Sequence, residues 1–436
     1  MNPFRYIAGL RKLPFVRDVL TIQAGSMVLM AAGFVSSIAF ARLLGVNDYG
    51  VYAVIVAFAG TFSAFFNIGQ GQSLYVFFSE AYGRKDRHAQ AAVLSNFVTV
   101  ASVNVILLIV LAAIMPMLSE KFYGSPEIGK FARILCFFQI SEIWNSMTLI
   151  ILQSLRRIRL KVFLEQGANL SYLGLAVVAL LFGGKIWALL LTQLAVSLVF
   201  LPISLITLKI VARKHGLPGI RETLRIPFTE SRQYLAQGLI ITADKTIANF
   251  FPQGLFFIFS LFSPASFVGI AKIAMQLANV PRNILLPQAG DLSTAAFGKM
   301  MAEGTQVVRT NAAKLIKHAL AFHALLSLGA AIAFPPVIFW FYGPEFWEAI
   351  PLTMWLLLIL VTQSLSIASS PILRLKRKTY VSIALNLVTW AIVIAAVALL
   401  QDILAPNHLF ILSFALLQIW PLGLTWYTFK ILLKNR

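Results

Sequence analysis

The chain writes one order of long apolar stretches twice. Gly50 recurs as Gly269, Pro116 as Pro335, and Phe122-Tyr123-Gly124 as Phe341-Tyr342-Gly343, all at a shift of 219 residues with no gap. Farther on the register slips by two, so that Lys161-Val162-Phe163 with Asn169 aligns with Lys378-Thr379-Tyr380 with Asn386. Each stretch is about 20 to 28 residues long, enough at about 1.5 Å per residue to cross a hydrocarbon core of roughly 30 Å. With 59% hydrophobic and only 12% charged residues, the chain carries more apolar surface than one water-soluble globule can hide, so lipid is its solvent. Repetition at half-length predicts an all-α polytopic membrane protein in which two like bundles surround a central cavity, a common transporter plan.

Charge and turn chemistry divide the apolar sequence into about twelve spans. They are 18–42, 50–78, 89–115, 128–154, 162–182 and 186–211 in the first half, and 231–260, 266–296, 312–334, 346–372, 379–400 and 408–432 in the second. Six crossings per half make the repeats parallel. The expected organisation is a lobe over 1–211, a linker over 212–230 with Gly216, Pro218 and Gly219 as hinge residues, and a lobe over 231–436. Residues 1–17 read as a candidate interfacial segment, with Phe4, Ile7 and Leu10 set among Arg5, Arg11 and Lys12. No cleavable signal peptide is evident, because the first apolar run is too long and starts too late.

Basic loops resist translocation. Most of the 36 Lys and Arg residues fall into loops that share one side if both termini are inside, among them Arg84-Lys85-Asp86-Arg87, Arg156 to Lys161 and Arg374 to Lys378. That predicts an N-in, C-in protein of the cell membrane. It also accounts for the net charge of +20 without nucleic acid, since the bases flank spans and suit anionic lipid headgroups. Enzyme signatures are missing: there is no phosphate-binding GxxxxGK[ST] loop and no HExxH, and His318 and His323 read as inner-leaflet polar residues rather than a metal site. No cofactor is expected, and the lone Cys136 excludes an internal disulfide.

What stands out is polarity placed inside spans, where a charge costs about 2.5 to 3.5 kcal/mol on insertion scales. Lys272, Gln276, Asn279 and Asn283 form one stripe on the eighth span, with Arg282 beside it. Pro281 and Pro287 are expected to interrupt that helix. Asp244 and Lys245 lie deep in the seventh span; the fourth carries Gln139, Glu142, Ser146 and Gln153; the second carries Asn67, Gln70 and Gln72. In the ungapped repeat Lys272 aligns with Ala53 and Arg282 with Ser63, so the shared architecture did not require these charges. Lys245, Lys272 and Arg282 suit a phosphate-bearing ligand, the amides suit sugar hydroxyls, and Asp244 or Glu142 suits an exchangeable proton or Na⁺.

Ala41-Arg42-Leu43-Leu44-Gly45-Val46-Asn47-Asp48-Tyr49-Gly50-Val51-Tyr52 resembles the ARxLGxxxYGxY signature of polysaccharide-type flippases. These are the O-antigen flippase relatives within the multidrug/oligosaccharidyl-lipid/polysaccharide exporter superfamily. Asp244-Lys245 resembles that family's Asp-Arg/Lys pair, and Val268-Gly269-Ile270 its VGxY, with Ala271 in place of the tyrosine. The resemblance, carried by Arg42, Gly45, Tyr49 and Gly50, implies alternating access and export of an undecaprenyl-type lipid-linked glycan, alongside glycan-assembly proteins as partners. Other readings are a cation-coupled multidrug exporter of the same superfamily and a non-transporting scaffold of a glycan-assembly complex. A major-facilitator carrier is disfavoured by the poor match of Gly83-Arg84-Lys85-Asp86-Arg87 to its loop motif.

Overall fold

Glycine decides where the first long helix must bend. In the computed structural model, which describes residues 14–66, 71–232, 234–235, 253–376 and 378–434, α1 runs Pro14–Phe66 but leaves helical geometry at Gly45, with φ 72° and ψ 170°. A side chain would make that backbone costly. Its apolar stretch, Thr21–Ala64, spans 44 residues, about 66 Å of helix at the α-helical rise, twice what one crossing needs. Gly45 therefore separates the first expected span from the second.

The chain continues through α2 (Gly71–Gly83), α3 (Arg87–Tyr123), α4 (Glu127–Ser154), α5 (Ile158–Leu181), α6 (Ile186–His215), α7 (Ile220–Arg225) and α8 (Phe228–Ser231). After the helical residues 253–260 come α9 (Ala265–Glu303), α10 (Thr305–Val337), α11 (Ala349–Leu360), α12 (Ser366–Leu375), α13 (Thr379–Leu400), α14 (Pro406–Leu417) and α15 (Ile419–Lys434). No strand occurs among the described residues. Nine stretches of the described residues are long and apolar enough to cross a membrane. The eighth expected span is not one of the nine, because the polar stripe of α9 dilutes its apolar content; most of the seventh lies outside the described residues.

One expectation needs correcting. Pro281 and Pro287 do not interrupt their helix: α9 runs as one helix over 39 residues. The expected tenth span is present as the single apolar stretch Ala349–Leu375, within which a 3₁₀ stretch over Val361–Leu365 joins α11 to α12.

The chain forms two compact units, one of Met1–Leu44 with Ile55–Phe257 and one of Gly45–Val54 with Ile258–Arg436. In the first, α4 packs along both α3 and α6. An aromatic cluster is built there from Phe58, Phe62, Phe122 and Phe257, with Tyr123 5.6 Å from Phe58 between ring centres. In the second, α9 packs against α10, α11 and α12, and Phe259 and Phe267 meet Phe410 edge-on or tilted at 5.1 and 6.0 Å. The repeated Phe-Tyr-Gly turns close α3 in the first unit and, in the second, the π-helical turn Ile338–Tyr342 that follows α10, with Gly124 and Gly343 at φ +66° and +103°.

The second unit holds a helix crossing of backbone against backbone. Gly50 on α1 lies against Ala265 and Gly269 on α9, and a Cβ on Gly50 would overlap the Ala265 carbonyl. A Cβ on Gly269 would sit 2.9 Å from the Gly50 Cα. These glycines occupy the same position in the two repeats, so one small-residue requirement, applied twice, builds a contact between two backbones. Lipid tails give helices no hydrophobic reason to associate, and such close van der Waals contact supplies one.

The segment after α6 is anchored. Gly216, at φ +63°, ends α6 in a left-handed cap, and Glu222 of α7 receives a two-pronged bond from Arg87 at 2.8 to 3.3 Å. Ser95 adds a 3.4 Å bond to the Ile226 carbonyl. The Arg87 guanidinium holds the Glu222 carboxyl below the usual carboxylate range, and Glu222 raises Arg87 in turn.

Gly50→Ala should destabilise the protein by about 1–3 kcal/mol through overpacking, whereas Gly174→Ala, with nothing within 4 Å of the added carbon, should leave the detergent melting temperature unchanged or raised. Because the Glu222 pKa is depressed, the clamp holds above the ordinary carboxylate range and opens only as pH falls through the lowered value. Arg87→Ala at neutral pH should therefore expose residues 216–227 to limited proteolysis, mimicking strong acid in the parent protein.

Candidate functional site

The crossing at Gly50 sets the surroundings of Lys272. Gly269 and Lys272 are three residues apart on α9, as are Tyr49 and Tyr52 on α1, so each pair shares a helix face. Where the backbones touch, the Lys272 stem is drawn across the tyrosines, leaving Nζ 4.4 Å from the Tyr52 ring centre and 6.0 Å from that of Tyr49. Tyr49 is buried and meets Phe346 edge-on at 6.1 Å. Aromatic faces attract a cation without neutralising it. Tyr49 and Gly50 of the sequence signature thus have local work to do: one lines the cation, the other admits the helix that carries it.

Ten residues along α9, about 15 Å at the helical rise, Arg282 donates to Asn279 Oδ1 at 3.3 Å. The Asn279 amide in turn donates to the Met275 carbonyl at 2.9 Å, which makes Asn279 a positioning residue for the guanidinium. Lys272, Gln276, Asn279 and Arg282 are all half-buried and Asn283 is exposed. Among the described residues, the ion pairs are Arg84–Glu80, Arg87–Glu222, His88–Glu230, Lys130–Glu127 and Lys161–Glu165, and none uses Lys272 or Arg282. Asn67, Gln70, Asp244 and Lys245 lie outside the described residues, and Gln72 is placed in α2 by its backbone alone. Arg42 is exposed at the end of the first limb of α1.

The first unit carries the opposite chemistry. Glu142 Oε1 accepts from Ser197 Oγ at 2.8 Å and from Asn145 Nδ2 at 2.9 Å, and Ser141 and Ser197 share a 2.6 Å bond. Asn145 Oδ1 is buried without a partner. These groups border a cavity of ≈ 90 Å³ whose wall includes Glu165, Asn169 and Gln193. Glu142, Glu165, which pairs with Lys161 at 3.6 Å, and the unfilled amide oxygen give the cavity wall acceptor character. The sequence pointed to Glu142 but missed Asn145, Ser141 and Ser197. Asn145 could have been found by its three-residue spacing, but Ser197 is 55 residues away and had no sequence signal. Gln139 is bonded to Ser63 at 2.7 Å instead.

His323 is more deeply placed than expected of an inner-leaflet polar residue. It is fully buried in α10, with Nδ1 2.7 Å from Ser364 Oγ in the 3₁₀ stretch. His318 contacts only its own helix, at the Lys314 carbonyl. No group of three or more potential metal ligands occurs among the described residues.

Fold and polar sites define a class, a multi-pass all-α membrane protein with paired repeats. Its fold is that of the MATE transporters. A MATE protein solved in complex with MaL6 matches at 15% identity over 98% of each chain with a TM-score of 0.69. A MOP superfamily transporter from Pyrococcus furiosus matches at 14% over 97% of each, TM-score 0.68, and a eukaryotic MATE transporter at 14% over 99% of each, TM-score 0.65. No curated protein matches by sequence. A family model described as "Polysaccharide biosynthesis protein" covers residues 39–351, and the chain belongs to that family, in line with the resemblance read from Ala41 to Tyr52.

Ser197→Ala should cost about 1–3 kcal/mol by stranding the Glu142 carboxylate, read as a lower melting temperature in detergent. Ser146→Ala should cost far less, because that hydroxyl bonds only the Ile143 carbonyl of its own helix.

Proposed function

We propose that this protein is a flippase for lipid-linked oligosaccharides, moving a pyrophosphate-bearing glycan from the cytoplasmic to the outer leaflet for cell-surface polysaccharide synthesis. One observation carries the reading: Lys272 and Arg282 sit on one helix, α9, with no carboxylate partner among the described residues. Cations so placed favour an anion, and a guanidinium can hold phosphate through two parallel bonds. Family membership supports the glycan. The Pyrococcus furiosus transporter is described as having a binding pocket of reverse polarity that suggests a different function, and the pair of cations on α9 here fits an anionic rather than a cationic cargo.

In this mechanism residues 1–211, apart from Gly45–Val54, which stay with the second unit, rock against 231–436 about the 212–230 linker, with both termini cytoplasmic. The pyrophosphate engages Lys272 and Arg282, joined by Lys245. Gln276 and Asn283, with Asn67, Gln70 and Gln72, meet sugar hydroxyls. An anion moving outward gains about 2.3 kcal/mol per charge per 100 mV of inside-negative potential. Glu142 supplies a seat for a coupling proton or Na⁺, the role also assigned to Asp244. The competing reading, a cation-coupled multidrug exporter, draws on the acidic wall of the Glu142 cavity and on the MATE fold.

Reconstituted protein should translocate a labelled lipid-pyrophosphate sugar. Lys272→Met, which keeps the apolar stem against the tyrosines, and Arg282→Gln should each slow it about tenfold or more, as expected when a buried ionic contact of about 1.4 kcal/mol or more is lost, with abundance unchanged. Normal translocation in both variants, or transport of organic cations alone, would overturn the proposal.

A further inference from the structure

Four helical segments of the second unit start beside one pocket. They are the second limb of α1 at Val46, α9 at Ala265, α11 at Ala349 and α14 at Pro406. The pocket has a volume of ≈ 740 Å³ and is bordered by Val46, Ser266, Phe267, Glu345, Glu348, Trp355, Asn407 and His408. That volume is within the about 300–1,000 Å³ usual for sites that take molecules of drug size.

The chemistry of the wall is balanced in an informative way. Helix starts leave backbone N–H groups without intrahelical partners and carry partial positive charge, and α9, α11 and α14 have no side-chain cap. The Val46 N–H is answered by Glu345 Oε2 at 3.3 Å and the His408 N–H by Asn407 Oδ1 at 2.9 Å, while Phe267 and Ile350 donate to the Pro264 and Trp347 carbonyls, so the donors left on the wall include the Ser266 hydroxyl and the Asn407 side-chain amide. Donors thus stand next to the acceptor oxygens of Glu345 and Glu348. Trp355 lies seven residues after Glu348, two turns on and on the same face, and the residue is 52% exposed.

We propose that this pocket binds a pyranose of the transported glycan, and in naming that part of the cargo the inference rests on the flippase reading. A sugar hydroxyl both donates and accepts, which matches a wall offering both. The Trp355 ring supplies a flat apolar surface for the C–H face of the sugar, in the mixed aromatic and polar lining typical of small-molecule sites. Two carboxylates on the wall oppose a phosphate by like-charge repulsion. Ser266 and Ile270 line the pocket, and Lys272 follows Ile270 by two residues on α9. One helix therefore runs from a sugar pocket to the cations for the pyrophosphate.

The test uses full-length protein in detergent and ligand-observed saturation-transfer NMR. The probes are methyl glucopyranoside, N-acetylglucosamine and glucosamine, with empty micelles as the blank. Both neutral sugars should receive saturation from the parent protein. Trp355→Ala and Glu348→Gln should weaken the effect about fivefold or more; Trp355→Phe should keep part of it, and Gly174→Ala, in the first unit with nothing within 4 Å of the added carbon, all of it. Melting curves identify any variant that has not folded, and Trp355→Phe then replaces Trp355→Ala.

Saturation no greater than in empty micelles, equal saturation in all variants, or binding of glucosamine alone would overturn the pocket. So would Ca²⁺ or Mg²⁺ abolishing the sugar signal by occupying Glu345 and Glu348 themselves. Sugar binding that persists in a protein unable to translocate lipid-pyrophosphate sugar overturns the flippase reading and leaves the pocket standing. Translocation without sugar binding does the reverse.

Discussion

The backbone contact between Gly50 and Gly269 is the constraint from which the second unit is built. In a solvent of acyl chains, helices gain little by burying apolar side chains against one another, and close approach of backbones becomes the available attraction. With both residues reduced to hydrogen, α1 and α9 meet so closely that a methyl group on Gly50 would collide with a carbonyl. The bend at Gly45, the Glu345 bond that holds the second limb of α1 at its start and the placing of Tyr49 and Tyr52 all serve that crossing. The α1 segment Gly45–Val54 clusters with the second unit although its flanks belong to the first, as expected of a segment held by backbone contact.

That crossing also determines how a charge is kept inside an apolar medium. Lys272 is met by the faces of two tyrosines, which lower the cost of the ammonium without cancelling its charge. A carboxylate neighbour would have made a closed pair with nothing left for a ligand. The first unit solves the converse problem by wrapping the Glu142 carboxylate in hydroxyl and amide donors while leaving one amide oxygen unfilled. At the position aligned with Arg282, the first unit has Ser63, whose hydroxyl is occupied by Gln139. The repeats share glycines and turns and differ in chemistry, so the scaffold is common and the polar groups are individual.

Several elements were legible before any coordinates. Apolar run lengths gave the helices, the 219-residue shift gave the paired glycines and Phe-Tyr-Gly turns, and three- and four-residue spacing put Lys272, Gln276 and Asn279 on one face of α9. The errors have physical causes. Proline was expected to interrupt α9, yet a helix can carry the missing donor where neighbours or geometry absorb it, and the 3₁₀ geometry fell at Val361–Leu365, a proline-free stretch. Tyr52 and Ser197 were not singled out, since a tyrosine's ring face and a serine's hydroxyl acquire meaning only from the group brought against them.

The sequence by itself determined that the chain lives in lipid and that its helices come in two repeating sets, and it set the expected intramembrane charges on two consecutive spans, Asp244 with Lys245 and Lys272 with Arg282. Those properties depend on composition and on spacing along one helix, which are local. Only the tertiary structure decided that Lys272 rests on tyrosines, that Glu142 is ringed by donors from α4 and α6, and that four helix starts open on one pocket beside Trp355. Such contacts join residues tens to hundreds of positions apart. No periodicity encodes them, because they follow from which backbones can come close enough to touch.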